Sequence, residues 1–173
     1  MSYIRLARVI NILPLDDELL EAIYQSYLST YRLKLTMEQI FTPGKTTGTM
    51  VDELIRSRGM AADGSLVSWS DVSRALTESP PRLLEVEPLT YRLLGTLIDK
   101  AMGREVAEGE EPSISRQRVS AWVTQGVRPD ERMRAVLWDI FNVLPEEQAV
   151  YDQARPGPSQ YRSQAKSTDF PNR

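Results

Sequence analysis

Cysteine and histidine are both missing from this chain of 173 residues. Without cysteine there is no disulfide framework, no thiolate nucleophile and no cysteine zinc site. Without histidine, imidazole acid–base chemistry and most transition-metal sites drop out as well. Carboxylates remain, but the acidic trio Asp16-Asp17-Glu18 sits where acids favour the positive end of a helix. No enzymatic activity and no cofactor are therefore expected. Long apolar runs are missing too: nothing approaches the ~18 residues that a membrane span needs. The start, Met1-Ser2-Tyr3-Ile4-Arg5, lacks the unbroken apolar region of a signal peptide. These absences lead to the expectation of a cytoplasmic protein with no membrane partner.

What is present suits a folded chain. The sequence is 41% hydrophobic and 26% charged, enough for one domain or two very small ones. Its 21 basic and 24 acidic residues leave a net charge of −3, which argues against a general coating of nucleic acid. A local basic patch is still compatible with that total, because binding responds to the nearby field.

Residues 1–46 read as an N-terminal helical extension. Ile4, Leu6, Ile10 and Ile12 nearly alternate, but Ala7 and Val9 interrupt them, so 3–13 stays open between strand and helix. Pro14 closes that piece. A helix then carries the stripe Leu19, Leu20, Ile23, Tyr24, Tyr27, Leu28 and Tyr31. Thr36 with Gln39 makes a capping box for a further short helix, halted at Thr42-Pro43-Gly44. Gly44-Lys45-Thr46 matches the end of a phosphate-binding loop. Gln39 stands where the first glycine is required, and Pro43 has no N–H to offer, so a plain turn is the better reading. At the other end, residues 151–173 read as a flexible, disordered basic tail, with Arg155, Arg162, Lys166 and Arg173 against Asp169.

The most informative stretch runs from Ser113 to Pro129. Ser115 is a good N-cap, Ile114, Val119 and Trp122 share one helical face, and Arg116, Gln117, Arg118, Ser120 and Ala121 fall largely on the other. Gly126 suits a left-handed helix end. Asp130-Glu131 then open a helix with Met133, Val136, Leu137, Ile140 and Phe141 inward, ending near Asn142. From 116 to 134, five arginines face two acids, Asp130 and Glu131. Before it, 104–112 is a long loop bearing Glu105, Glu108, Glu110 and Glu111.

Ser115, Val119, Ser120, Trp122, Gly126, Arg128 and Pro129 match a pattern of S-x-x-x-[VI]-S-x-W, glycine, basic residue and proline. This stretch resembles the recognition-helix region of the Cro/CI-type (XRE-like) helix-turn-helix DNA-binding proteins, including prophage repressors. The resemblance covers about 50 residues and makes Leu94–Gly103 the preceding helix. It implies double-stranded DNA as partner. Base readers would be Arg116, Gln117, Arg118, Ser120 and Ala121, and Ser115, Arg128 and Arg132 would face phosphate.

A shift of 47 places Thr49 on Thr96, Asp52 on Asp99, Ser68 on Ser115, Val72 on Val119, Ser73 on Ser120 and Thr77 on Thr124 without a gap. Shared helical periodicity also produces such matches. If the repeat is real, Val67–Arg74 is a second recognition-type helix, with Ser70, Ser73 and Arg74 as candidate contacts.

The expected fold is mostly α: an N-terminal extension (1–46), a first helix-turn-helix-like unit (47–94), a Cro/CI-like unit (95–150) and the tail (151–173). The expected function is that of a sequence-specific transcriptional regulator, a repressor of phage or mobile-element type. The alternative is a helical structural or assembly protein, such as a virion adaptor or small complex subunit. Self-association, or a protein partner held by the N-terminal region, is compatible with either.

Overall fold

The computed structural model describes residues 40–76, 78 and 84–161. The readings made for 1–39, for Thr77 and for 162–173 lie outside them. Among the described residues there are six helices and one sheet. In chain order these are α1 (Thr47–Arg56), β1 (Arg58–Ala61), β2 (Leu66–Ser68), α2 (Trp69–Leu76), β3 (Val86–Pro88), α3 (Tyr91–Ala101), α4 (Arg116–Thr124), α5 (Glu131–Phe141) and α6 (Pro145–Gln153). They divide into two compact units, one containing the described residues of 56–89 and the other Ile40–Ile55 with 90–161.

The sheet corrects the expectation of two tandem helix-turn-helix-like units in a mostly α fold. Its strands are antiparallel in the order β2-β1-β3, with Gly59 opposite Val67 on one side and Pro88 on the other. The β1–β2 hairpin turns on Asp63, whose carboxylate accepts from Ser65 N–H at 2.9 Å, and on Gly64 at φ +82°. That is turn chemistry, and it replaces the helix-to-helix turn the repeat requires. The segment equivalent to the third helix becomes β3. α1, except for its last residue, belongs to the other unit, so 47–94 is not a structural unit.

In the sheet-bearing unit, Trp69, Val72 and Val86 form the core, with Val67 and Leu84 packed against it. A β-carbon at Gly59 would collide with Val86 Cγ1, so glycine is what lets the sheet close on this cluster. Ser68 Oγ accepts from Asp71 N–H at 3.1 Å and donates to Asp71 Oδ2 at 2.6 Å, starting α2.

The helical unit has an apolar interior. Met50, Leu94, Ile98, Val119, Trp122, Val123, Leu137 and Phe141 are all buried, and α3 packs against both α4 and α5. Phe41, Trp138 and Tyr151 stack edge to face at centroid distances of 6.0 and 4.9 Å. Thr90, Ser115 and Asp130 cap α3, α4 and α5, each side chain accepting the N–H three residues on. Asn142, at φ 51°, ends α5 in the left-handed conformation.

The expectation of a disordered tail is corrected for residues 151–161. Residues 151–153 complete α6, and 154–161 pack onto α1 and the end of α4. The backbone N–H groups of Thr47 and Gly48 donate to the carbonyls of Arg155 and Gly157, so this segment is held by main-chain bonds that composition does not reveal. No helix among the described residues is long and apolar enough to cross a membrane.

Candidate nucleic-acid interface

α4 is two-faced, and its sequence explains why. Val119, Trp122 and Val123 recur at three and four residues and are 0, 2 and 0% exposed. The same spacing turns Arg116, Gln117 and Arg118 outward, where all three are exposed. Ser120 and Ala121 are half-buried at the flank. Ser115 Oγ accepts from Arg118 N–H at 3.2 Å, so its hydroxyl is engaged as the cap. Structure and pattern thus bring Arg116, Gln117 and Arg118 together on one turn.

The arginines around that turn are used unequally. Arg116 and Arg132 are exposed and form no ion pair among the described residues. Arg118 reaches Asp130 at 3.4 Å, tying the starts of α4 and α5 together. Arg134 pairs with Asp152 at 3.0 Å. Arg128 is half-buried: its guanidinium donates to Asp152 O at 3.2 Å and to Ala154 O at 2.5 Å, closing the carbonyl end of α6, and lies 5.7 Å from the Tyr151 ring centroid. Arg128 is therefore occupied as a helix cap and is not turned toward a phosphate. Sequence reasoning missed this because an arginine beside a proline gives no sign of which carbonyls it will find.

Tyr151 is fully buried, and burial pushes its phenol up to about 12, with the Arg128 cation acting against the shift. Its hydroxyl has no hydrogen-bond partner among the described residues.

The acidic loop before α4 is a built element. Asp99, 0% exposed on α3, accepts from both the N–H and the Oγ of Ser113. Arg104 pairs with Glu110 at 2.7 Å, and Glu110 also accepts from Ala107 N–H. The Ala107 N–H and the Arg104 guanidinium together hold the Glu110 carboxyl below its usual value. A β-carbon at Gly95 would lie 2.5 Å from Ile114 O, so a glycine on α3 lets the loop's exit cross at close range. Asp99 was visible in the sequence only as one column of the repeat; its role is to anchor the loop that delivers Ser115.

The second set of candidates lies in the sheet-bearing unit. Ser70 is exposed on α2, Ser73 lies on the same helix, and Arg74 is exposed but paired with Asp71 at 2.7 Å. The Gly44-Lys45-Thr46 turn opens α1, where the first-turn N–H groups are already given to Arg155 and Gly157, and Lys45 Nζ is 2.5 Å from Glu53. The donors a phosphate would need are taken by the chain itself. No cluster of acidic side chains able to hold a metal occurs among the described residues.

Neither a protein-family model, nor a curated protein, nor a solved structure matches this chain.

Proposed function

We propose that this protein binds double-stranded DNA sequence-specifically through α4 and acts as a transcriptional regulator, a repressor that blocks polymerase by occupancy. The observation that carries the reading is the first turn of α4, where Arg116 and Gln117 stand exposed on a helix whose other face is buried. A helix fits the major groove, where arginine pairs with guanine O6 and N7 and glutamine with adenine N6 and N7. Arg118 joins them by leaving Asp130. An exposed ion pair is worth ~0–1 kcal/mol, less than the ~1–3 kcal/mol of a bidentate base contact. Ser120 and Ala121 offer a hydroxyl and a methyl at the flank, the latter suited to a thymine methyl. Arg132, at the start of α5, takes a phosphate. Selection of binding sites from random duplexes at fixed salt tests the reading: a recurring motif supports it, and an unenriched pool ends it.

A second reading, a helical structural or assembly protein, is favoured by one observation. Arg118, Arg128 and Arg134 are each engaged by acids or carbonyls of the same unit. Salt dependence separates the two. Duplex affinity that collapses between low and moderate salt belongs to the regulator. Affinity no better than that of an equally acidic control belongs to the assembly protein.

A further inference from the structure

Two helix ends meet one extended segment. The first N–H groups of α1 and the last carbonyls of α4 have no partner within their own helices. Residues 155–159 supply both sides. Arg155 O and Gly157 O accept from Thr47 and Gly48 N–H at 3.1 and 3.0 Å, and Ser159 N–H donates to Val123 O at 2.8 Å. Side chains fix the register: Ser159 Oγ donates to the buried Asp52 at 2.6 Å, and Thr46 Oγ1 donates to Pro158 O at 2.8 Å. Gln160 N–H reaches Thr49 Oγ1 at 3.1 Å, and Tyr161 OH donates to Glu53 at 2.7 Å. The approach leaves no space. A β-carbon at Gly48 would lie 2.5 Å from Gly157 O, 2.7 Å from Val123 O and 2.9 Å from Ser159 N. One at Gly126, where φ is +69°, would fall on the Gly157 backbone.

We propose that this C-terminal clasp sets the seating of α4, making Gly48 and Ser159 positioning residues for base reading although neither belongs to the DNA-facing set. The proposal rests on the DNA-binding reading of α4. α4 has nine residues, too few to hold its own geometry in isolation. At 1.5 Å per residue Val123, at the clasped end, and Arg116, at the reading end, lie about 10 Å apart along the helix, so a tilt of about 10° at the clasp moves Arg116 by about 2 Å. Hydrogen bonds tolerate a few tenths of an ångström, so such a tilt removes bidentate pairing while leaving phosphate attraction in place.

The test uses the full chain with Ser159→Ala and, separately, Gly48→Ala, at a temperature where each is folded. Amide exchange is read at residues 48 and 159, and duplex affinity is read for the selected site and a scrambled site. Exchange should quicken in both variants, and the selected-to-scrambled ratio should fall about tenfold with scrambled affinity unchanged. Ser159→Ala keeps the experiment decisive should Gly48→Ala not fold. A ratio within about twofold of wild type while exchange quickens overturns the proposal, leaving the clasp as scaffold only. Unchanged exchange overturns it as well. A wild-type chain with no preference between duplexes removes the base-reading premise and the proposal with it. That failure is recognisable because the exchange arm does not depend on DNA.

Discussion

α2 and α4 begin alike and end up in different roles. Each starts behind a serine cap, Ser68 or Ser115, and each buries a valine at the same spacing, Val72 or Val119. They diverge over the three residues after the cap, Trp69-Ser70-Asp71 in α2 against Arg116-Gln117-Arg118 in α4. Asp71 closes the cap reciprocally and also takes Arg74, so the first turn of α2 is acidic and satisfied within itself. The first turn of α4 keeps Arg116 and Gln117 outward. Repeated spacing specifies which face of a helix is buried. It does not specify what the face is buried against, a small sheet for α2 and a helical interior for α4.

The comparison can be broken most forcefully at the two tryptophans. Trp122→Ala should destabilise the helical unit by ~3–5 kcal/mol and abolish duplex binding, read by denaturant titration and binding together. Trp69→Ala should leave duplex binding intact, since α4 is not in its unit. Loss of binding from Trp69→Ala would mean that the sheet-bearing unit takes part.

Gly48→Ala turns on a sign. Helix propensity alone predicts a gain of ~1 kcal/mol for alanine in α1. The clash with Gly157, Val123 and Ser159 predicts a loss of roughly 1–3 kcal/mol, as for an overpacked core. A raised unfolding midpoint would show that the C-terminal segment does not press on α1.

Finer tests divide the arginines. Arg116→Ala should cost about 1–3 kcal/mol and relax preference at one base pair, whereas Arg74→Ala should change nothing at the selected site. Arg132→Ala should weaken all duplexes alike and reduce the salt slope by about 1.

The smallest effect is expected at Tyr151. Its hydroxyl is buried without a partner among the described residues, so Tyr151→Phe should be near neutral at pH 7, as judged by thermal melts. The sign at high pH follows from linkage. The folded chain keeps the phenolic proton up to about 12, and the unfolded chain releases it near 10. Wild-type stability should therefore decline as pH rises between these values, and the variant should lack that part of the decline.

Legibility in the sequence followed length and periodicity. α4 and α5 could be placed because Val119/Trp122 and Met133/Leu137/Phe141 repeat at helical spacing behind strong caps. β1, β2 and β3 are three or four residues long, too short for alternation to show, and β3 contains Pro88. One signal was present and not read: Asp63-Gly64 is hairpin chemistry. The clasp left even less trace, since Gly157 and Pro158 look like linker composition and their bonds are made by backbone. Arg116 and Arg128 are indistinguishable as letters. Only the positions of the Asp152 and Ala154 carbonyls decide that Arg128 is a cap.

The most direct test is selection from random duplexes at fixed salt, run in parallel with wild type and Arg116→Ala. Wild type should yield a defined motif, and the variant the same motif relaxed at one base pair. Identical motifs, or no enrichment from either protein, would contradict α4 as a reader of DNA.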